Sequence, residues 1–238
     1  MKLINRTDEL AGLEEYWKKK DAQLVVIYGK RRVGKTSLIK AFAQPKPHIY
    51  FLADKTTESE NLKLLGATVG KYFKDTRLEK NGFKDWYDSF EYLKLHSKEK
   101  LVFAIDEFPY LAEGNKAVSS MFQKGWDETL SKLPIFLILC GSSIGMMESE
   151  TLAYKAPLYG RRTAQILVRP FSFFDARNFY PDLDFDEFLR IYAVTGGNPA
   201  YLLKLKDAKN LHDALKQYVF KPIELLFEEV EFILKEEL

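Results

Sequence analysis

The chain has 238 residues, 46% of them hydrophobic, 14% aromatic and 29% charged, with a formal net charge of +2. That is core material for one large domain, or for one α/β domain with a small appendage. The charge balance argues against a dedicated nucleic-acid binder, no apolar run approaches the length of a membrane span, and a single cysteine rules out an intramolecular disulfide.

Cys140 sits inside the apolar run IFLILC and reads as a buried small hydrophobe. With no signal peptide at the start, this points to a cytoplasmic protein with no membrane partner. His48, His96 and His212 lie far apart, and none stands near cysteine at a ligand spacing, so no transition-metal site is expected.

In chain order, a polar helical start around INRTDELAGLEEY leads to the apolar run LVVIY, residues 24–28. Four more such runs follow, at 48–52, 101–105, 135–140 and 164–168. Their near-continuous hydrophobicity suits parallel strands covered on both faces. Helical periodicity fills the gaps at Ser37–Ala43, Ser59–Phe73, Phe83–Leu95 and Lys116–Leu130. The segment DWYDSFEY, where aromatics alternate with acids, fits a helix packed on a sheet better than a base-stacking groove. From Phe185 to Leu238 the pattern is helical throughout, with one break at TGGNPAY. The expected fold class is α/β: a five-stranded parallel sheet sandwich over residues 1–180 with a small all-helical subdomain over 181–238.

The strongest motif is Gly29-x4-Gly34-Lys35-Thr36, lying between the first strand and the helix that opens at Ser37. A glycine-bounded loop opening a helix presents backbone N–H groups and the positive helix end to phosphates. Lys35 suits β- and γ-phosphate oxygens, and the Thr36 hydroxyl suits Mg²⁺. Gly29, Val33, Gly34 and Ser37 complete the cradle, and Arg32 adds positive potential.

The third strand ends in Asp106-Glu107. Asp106 is placed to hold Mg²⁺ through its water shell, and Glu107 to orient a water that attacks the γ-phosphate. An acidic pair also caps strand ends, but the intervening strand favours the catalytic reading. The fourth strand runs into Gly141-Ser142-Ser143, so one of the two serines is expected to sense the γ-phosphate by hydrogen bonding. Ahead of the fifth strand, Arg161 and Arg162 are candidates for spreading transition-state charge.

Several segments together resemble one family, the prokaryotic and largely archaeal P-loop ATPases of the STAND group within the AAA+-like proteins. They are INRTDELAGLEEY, YGKRRVGKTSLI, IDEFPYL, APLYGRRTAQILVRPFSFFDA and TGGNPAYL. The resemblance implies ATP or ADP with Mg²⁺, Asn5 and Arg6 near the adenine and ribose or phosphates, and Pro199 packed on the adenine from a helical lid. It also implies Arg161 or Arg162 as a γ-phosphate sensor or a finger supplied in trans, within a homo-oligomer or a complex with a protein partner. Family members usually continue into a winged-helix module that this chain lacks, so nucleic-acid contact is expected only through such a module. The leading expectation is slow Mg²⁺-dependent ATP hydrolysis driving a conformational or assembly switch. A nucleotide switch that rarely hydrolyses, and a DNA-associated loader, are the alternatives.

Overall fold

The computed structural model describes residues 4–206, 208, 210–224 and 226–229. These residues form two compact units. One is built from residues 6–30 and 35–167; the other from Ile4, Asn5, residues 31–34 and the described residues from Val168 onward.

The first unit begins with α1 (Thr7–Trp17), β1 (Gln23–Tyr28), α2 (Lys35–Ala43) and β2 (His48–Leu52). Three helices follow: α3 (Glu58–Phe73), α4 (Thr76–Asn81) and α5 (Trp86–His96). Next come β3 (Leu101–Asp106), α6 (Phe108–Gly114), α7 (Val118–Glu128), β4 (Ile135–Gly141), α8 (Ile144–Met147) and β5 (Ala164–Leu167). The strands make one parallel sheet in the order β2-β3-β4-β1-β5. All five expected strands are present within one residue of their apolar runs; the three central ones are apolar along most of their length because they are buried on both faces. Every residue of β1, β3 and β4 is buried.

Alternation along the strands assigns the two faces. Leu24, Val26, Phe103, Ile105, Leu137 and Leu139 pack into one core with α3, α5, α6 and α7. At its centre the Phe122 ring meets Trp86, Phe90 and Phe108 at centroid distances of 5.2, 5.1 and 5.4 Å. Trp86 and Phe90 of the aromatic segment on α5 are thus core, whereas Tyr87 is exposed. On the opposite face Trp17, Phe42 and Phe136 form a second ring cluster beneath α1 and α2.

The helix limits differ from the periodicity where capping intervenes. The helix expected from Phe83 starts at Trp86, because the Asp85 carboxylate accepts the Asp88 N–H and makes residue 85 the cap. The stretch expected over 116–130 is helical only from Val118 to Glu128, followed by a separate 3₁₀ turn at Leu130–Lys132. Helices α4 and α6 were not expected; they are six and seven residues long, too short to show a periodic stripe.

In the second unit, α9 (Phe173–Ala176), α10 (Phe185–Thr195), α11 (Pro199–Leu205) and α12 (Leu211–Ala214) enclose a small core of Phe171, Phe179, Phe188, Ile191 and Leu202. Asp184 caps α10, and Asn198 caps α11 with Pro199 at its first turn. The expectation of helix throughout to Leu238 fails over 220–228, where the described residues form turns around Pro222, which has no N–H to donate. The acidic amphipathic helix expected near the end lies mostly outside the described residues.

Phe122→Ala is expected to lower the unfolding free energy by about 3–5 kcal/mol, because three packed rings lose their common partner. Urea unfolding of the two proteins measures it.

Candidate functional site

The site grows from the end of β1. Past Tyr28 the chain turns through Gly29 at φ +146°, Arg32 at φ +65° and Gly34 at φ +95° before α2 begins at Lys35. Gly34 is held where a side chain is strained, which accounts for its place in the motif. The Lys35 ammonium is buried and donates to the carbonyl oxygens of Gly29, at 2.7 Å, and Lys30, at 2.8 Å. The lysine is thus folded back onto the carbonyls of the first two residues of its own motif. Val33 is fully buried, whereas Thr36 and Ser37 are exposed on the first turn of α2.

One turn of α2 meets the end of β3. The Thr36 hydroxyl donates to Oδ2 of Asp106 at 2.7 Å, although Asp106 lies 70 residues away in sequence and is 1% exposed. The same Oδ2 accepts the phenol O–H of Tyr50 at 2.7 Å, and Oδ1 accepts the backbone N–H of Glu107 at 3.1 Å. Cys140, buried beside Asp106, has its thiol pushed up well above the usual range, by burial first and then by that carboxylate. Thr36 and Asp106 form a hard-oxygen donor set. The threonine gives its proton inward, which leaves its oxygen lone pairs for a cation. This chemistry fits Mg²⁺, which takes few protein carboxylates and keeps several waters.

Glu107 follows directly, in the left-handed region at φ +56°, and starts α6. A non-glycine residue held there is strained, and such strain gathers at functional positions. Its carboxylate Oε2 accepts the Ser142 hydroxyl at 3.0 Å and the Ser142 N–H at 3.3 Å. Gly141 makes this possible: a Cβ there would lie 2.6 Å from both Pro109 and Met147, so the end of β4 packs closely on α6. Of the two candidate serines the structure brings Ser142 to Glu107, while the Ser143 hydroxyl accepts the Met146 N–H at the start of α8.

The two arginines have other partners. Arg161 makes a forked pair with Asp127, at 2.9 and 3.2 Å, which holds its guanidinium above its ordinary pKa. Arg162 donates to the carbonyls of Thr151 and Leu152, at 3.2 and 3.3 Å, and lies over the Tyr159 ring. Asn5 and Arg6 are consecutive left-handed residues. Asn5 donates to Asp175 at 2.7 Å, and buried Arg6 pairs with Glu9 at 2.8 Å. In the helical unit, Arg32 pairs with Glu229, which also accepts the Tyr201 hydroxyl at 2.8 Å. Burial, then Glu229, pushes the Tyr201 phenol up to about 12. Pro199 stands beside Gly34 in the same unit.

Tyr50 is the residue that sequence reasoning missed. It occupies an ordinary position in the run HIYFL, and only the pairing of β2 with β3 brings it to Asp106.

A family model described as an ATPase domain predominantly from Archaea matches residues 3–205. An uncharacterized protein of Methanocaldococcus jannaschii is 36% identical over 234 residues, which cover 98% of this chain and 50% of that protein. The chain therefore spans half the length of that relative. Among solved structures, a Walker-type ATPase of Pyrococcus abyssi superposes with a TM-score of 0.67 at 25% identity, over 90% of this chain and 71% of its own. A signal transduction ATPase with numerous domains (STAND) carrying a tetratricopeptide repeat sensor, from Pyrococcus horikoshii, shares the fold at 19% identity. Its TM-score is 0.54, over 97% of this chain and 32% of its own.

Gly34→Ala is expected to cost about 1–2 kcal/mol, the penalty for a side chain in left-handed backbone. Gly12→Ala, at an open position inside α1, is expected to gain about 0.5–1 kcal/mol. Paired denaturation curves read both signs in one experiment.

Proposed function

Because the chain belongs to the family of ATPase domains found predominantly in Archaea, we propose that it binds ATP with Mg²⁺ at residues 29–37 and hydrolyses it slowly. The observation that carries this reading is the contact of Thr36 with the buried Asp106, with Glu107 and Ser142 joined beside it. It ties the loop that cradles phosphates to the carboxylates that a hydrolytic step needs.

In this reading Lys35 exchanges its carbonyl partners for the β- and γ-phosphate oxygens, and the amides of the loop take the remaining charge. Gly29, Val33, Gly34 and Ser37 shape the cradle, and Arg32 supplies positive potential. Thr36 and Asp106 hold Mg²⁺, which when bound neutralises charge on the phosphate oxygens. Glu107, oriented by Ser142, aligns a water for attack on the γ-phosphorus. The bond from that phosphorus to the β–γ bridging oxygen breaks, and ADP and phosphate leave. Asn5, Arg6 and Pro199 serve the base and ribose end, as family resemblance implies, and the helical subdomain acts as a lid.

Slow turnover of the isolated chain follows from the arginines. Arg161 is paired with Asp127 and Arg162 with carbonyl oxygens, so neither is poised on a phosphate within its own chain. Assembly with a second copy or a protein partner, in the cytoplasm, is the step that brings one of them to a γ-phosphate. The nucleotide state then sets a conformational or assembly switch.

The tests separate binding from chemistry. Lys35→Ala is expected to weaken ATP binding at least tenfold, as measured by calorimetry. Glu107→Gln is expected to keep nucleotide affinity within about threefold and to lower the rate of phosphate release by at least 100-fold. Wild-type specific activity that rises with protein concentration supports a site completed by assembly. Unchanged hydrolysis in Glu107→Gln removes the catalytic assignment.

A further inference from the structure

Tyr50 belongs to none of the motifs that mark this fold, yet its phenol oxygen lies 2.7 Å from the same Asp106 oxygen that accepts Thr36. The sheet register explains the approach. Tyr50 pairs with Ala104, two residues before Asp106, so both side chains emerge on the face that α2 covers. The Lys40 ammonium, one turn beyond Thr36 on α2, lies 5.0 Å from the centroid of the Tyr50 ring. The ring is therefore held by α2 on its face and by β3 at its hydroxyl.

We infer that Tyr50 is a positioning residue for the divalent cation, fixing the Asp106 carboxylate in the orientation that Thr36 and the metal's waters require. The inference rests on the Mg²⁺-nucleotide reading of the site. A buried aspartate has two oxygens and about four acceptor positions. Thr36 and Tyr50 donate to Oδ2 and the Glu107 N–H to Oδ1, with the Cys140 thiol beside the same carboxylate, so groups on α2, β2, β4 and the residue after β3 hold its plane. Without Tyr50, Oδ2 loses one of its two hydroxyl donors and keeps Thr36, on the helix that follows the phosphate loop. The carboxylate is then free to turn, and the cation meets a less preorganised partner. Ring packing alone does not explain the residue: phenylalanine would fill the same space, and only the hydroxyl reaches Asp106.

The test compares wild type with Tyr50→Phe, using fluorescently labelled ADP whose binding is followed by anisotropy. It is titrated first in EDTA and then at fixed ADP with increasing Mg²⁺. The inference predicts equal affinity in EDTA and a Mg²⁺ half-point raised roughly ten- to 100-fold in the variant, the effect of losing a hydrogen-bond partner of a metal-binding carboxylate. An unchanged half-point overturns the assignment. So does an equal loss of affinity in EDTA and in Mg²⁺, which marks a purely structural hydroxyl. Wild-type protein that binds no labelled ADP, or binds it without any response to Mg²⁺, instead overturns the underlying site and Tyr50's role with it.

Discussion

A single buried carboxylate organises the polar end of the sheet. Asp106 is almost wholly removed from water at the end of an otherwise apolar strand, and burying a charge there is costly unless hydrogen bonds surround it. Those bonds come from α2 through Thr36, from β2 through Tyr50 and from the chain's own next residue. Satisfying the charge thus ties together the helix that follows the glycine loop, an outer strand and the turn that presents Glu107. β3 lies two strands from β1, with β4 between them, and the end of β4 delivers Ser142 to Glu107.

The sheet supplies rigidity and the loops supply chemistry. Three central strands buried on both faces leave their carboxyl ends as the place where polar side chains can collect. Gly29, Arg32, Gly34 and Glu107 all have positive φ, and in the proposed function each is next to a residue given a role toward phosphate, metal or water. Arg32, by contrast, engages Glu229 in the helical unit, and the exposed Asp127 holds Arg161.

Much of this was legible in the sequence. Apolar runs located all five strands, and for the three central ones the reason is that a strand covered on both sides leaves a nearly uninterrupted hydrophobic signature. The glycine loop and the Asp106-Glu107 pair stood out because their chemistry is confined to a few adjacent residues. What remained hidden depended on tertiary register. Tyr50 looks like any aromatic in a strand until β2 is paired with β3. The two arginines look alike in GRR, yet one finds Asp127 and the other the carbonyls of Thr151 and Leu152. Ser142 and Ser143 were likewise inseparable until the close packing of Gly141 turned one toward Glu107 and left the other to cap α8. Capping by Asp85 also shortened α5, and α4 and α6 were too brief to show periodicity.

The measurement that bears most directly on the central claim is backbone hydrogen exchange with and without Mg²⁺-ADP. Slowed exchange of the amides between Lys30 and Ser37, together with the ends of β2 and β3, is the predicted result, since those N–H groups would be bonded to phosphate and the Asp106 network tightened. Protection confined to other segments, or none at saturating nucleotide, would contradict the account.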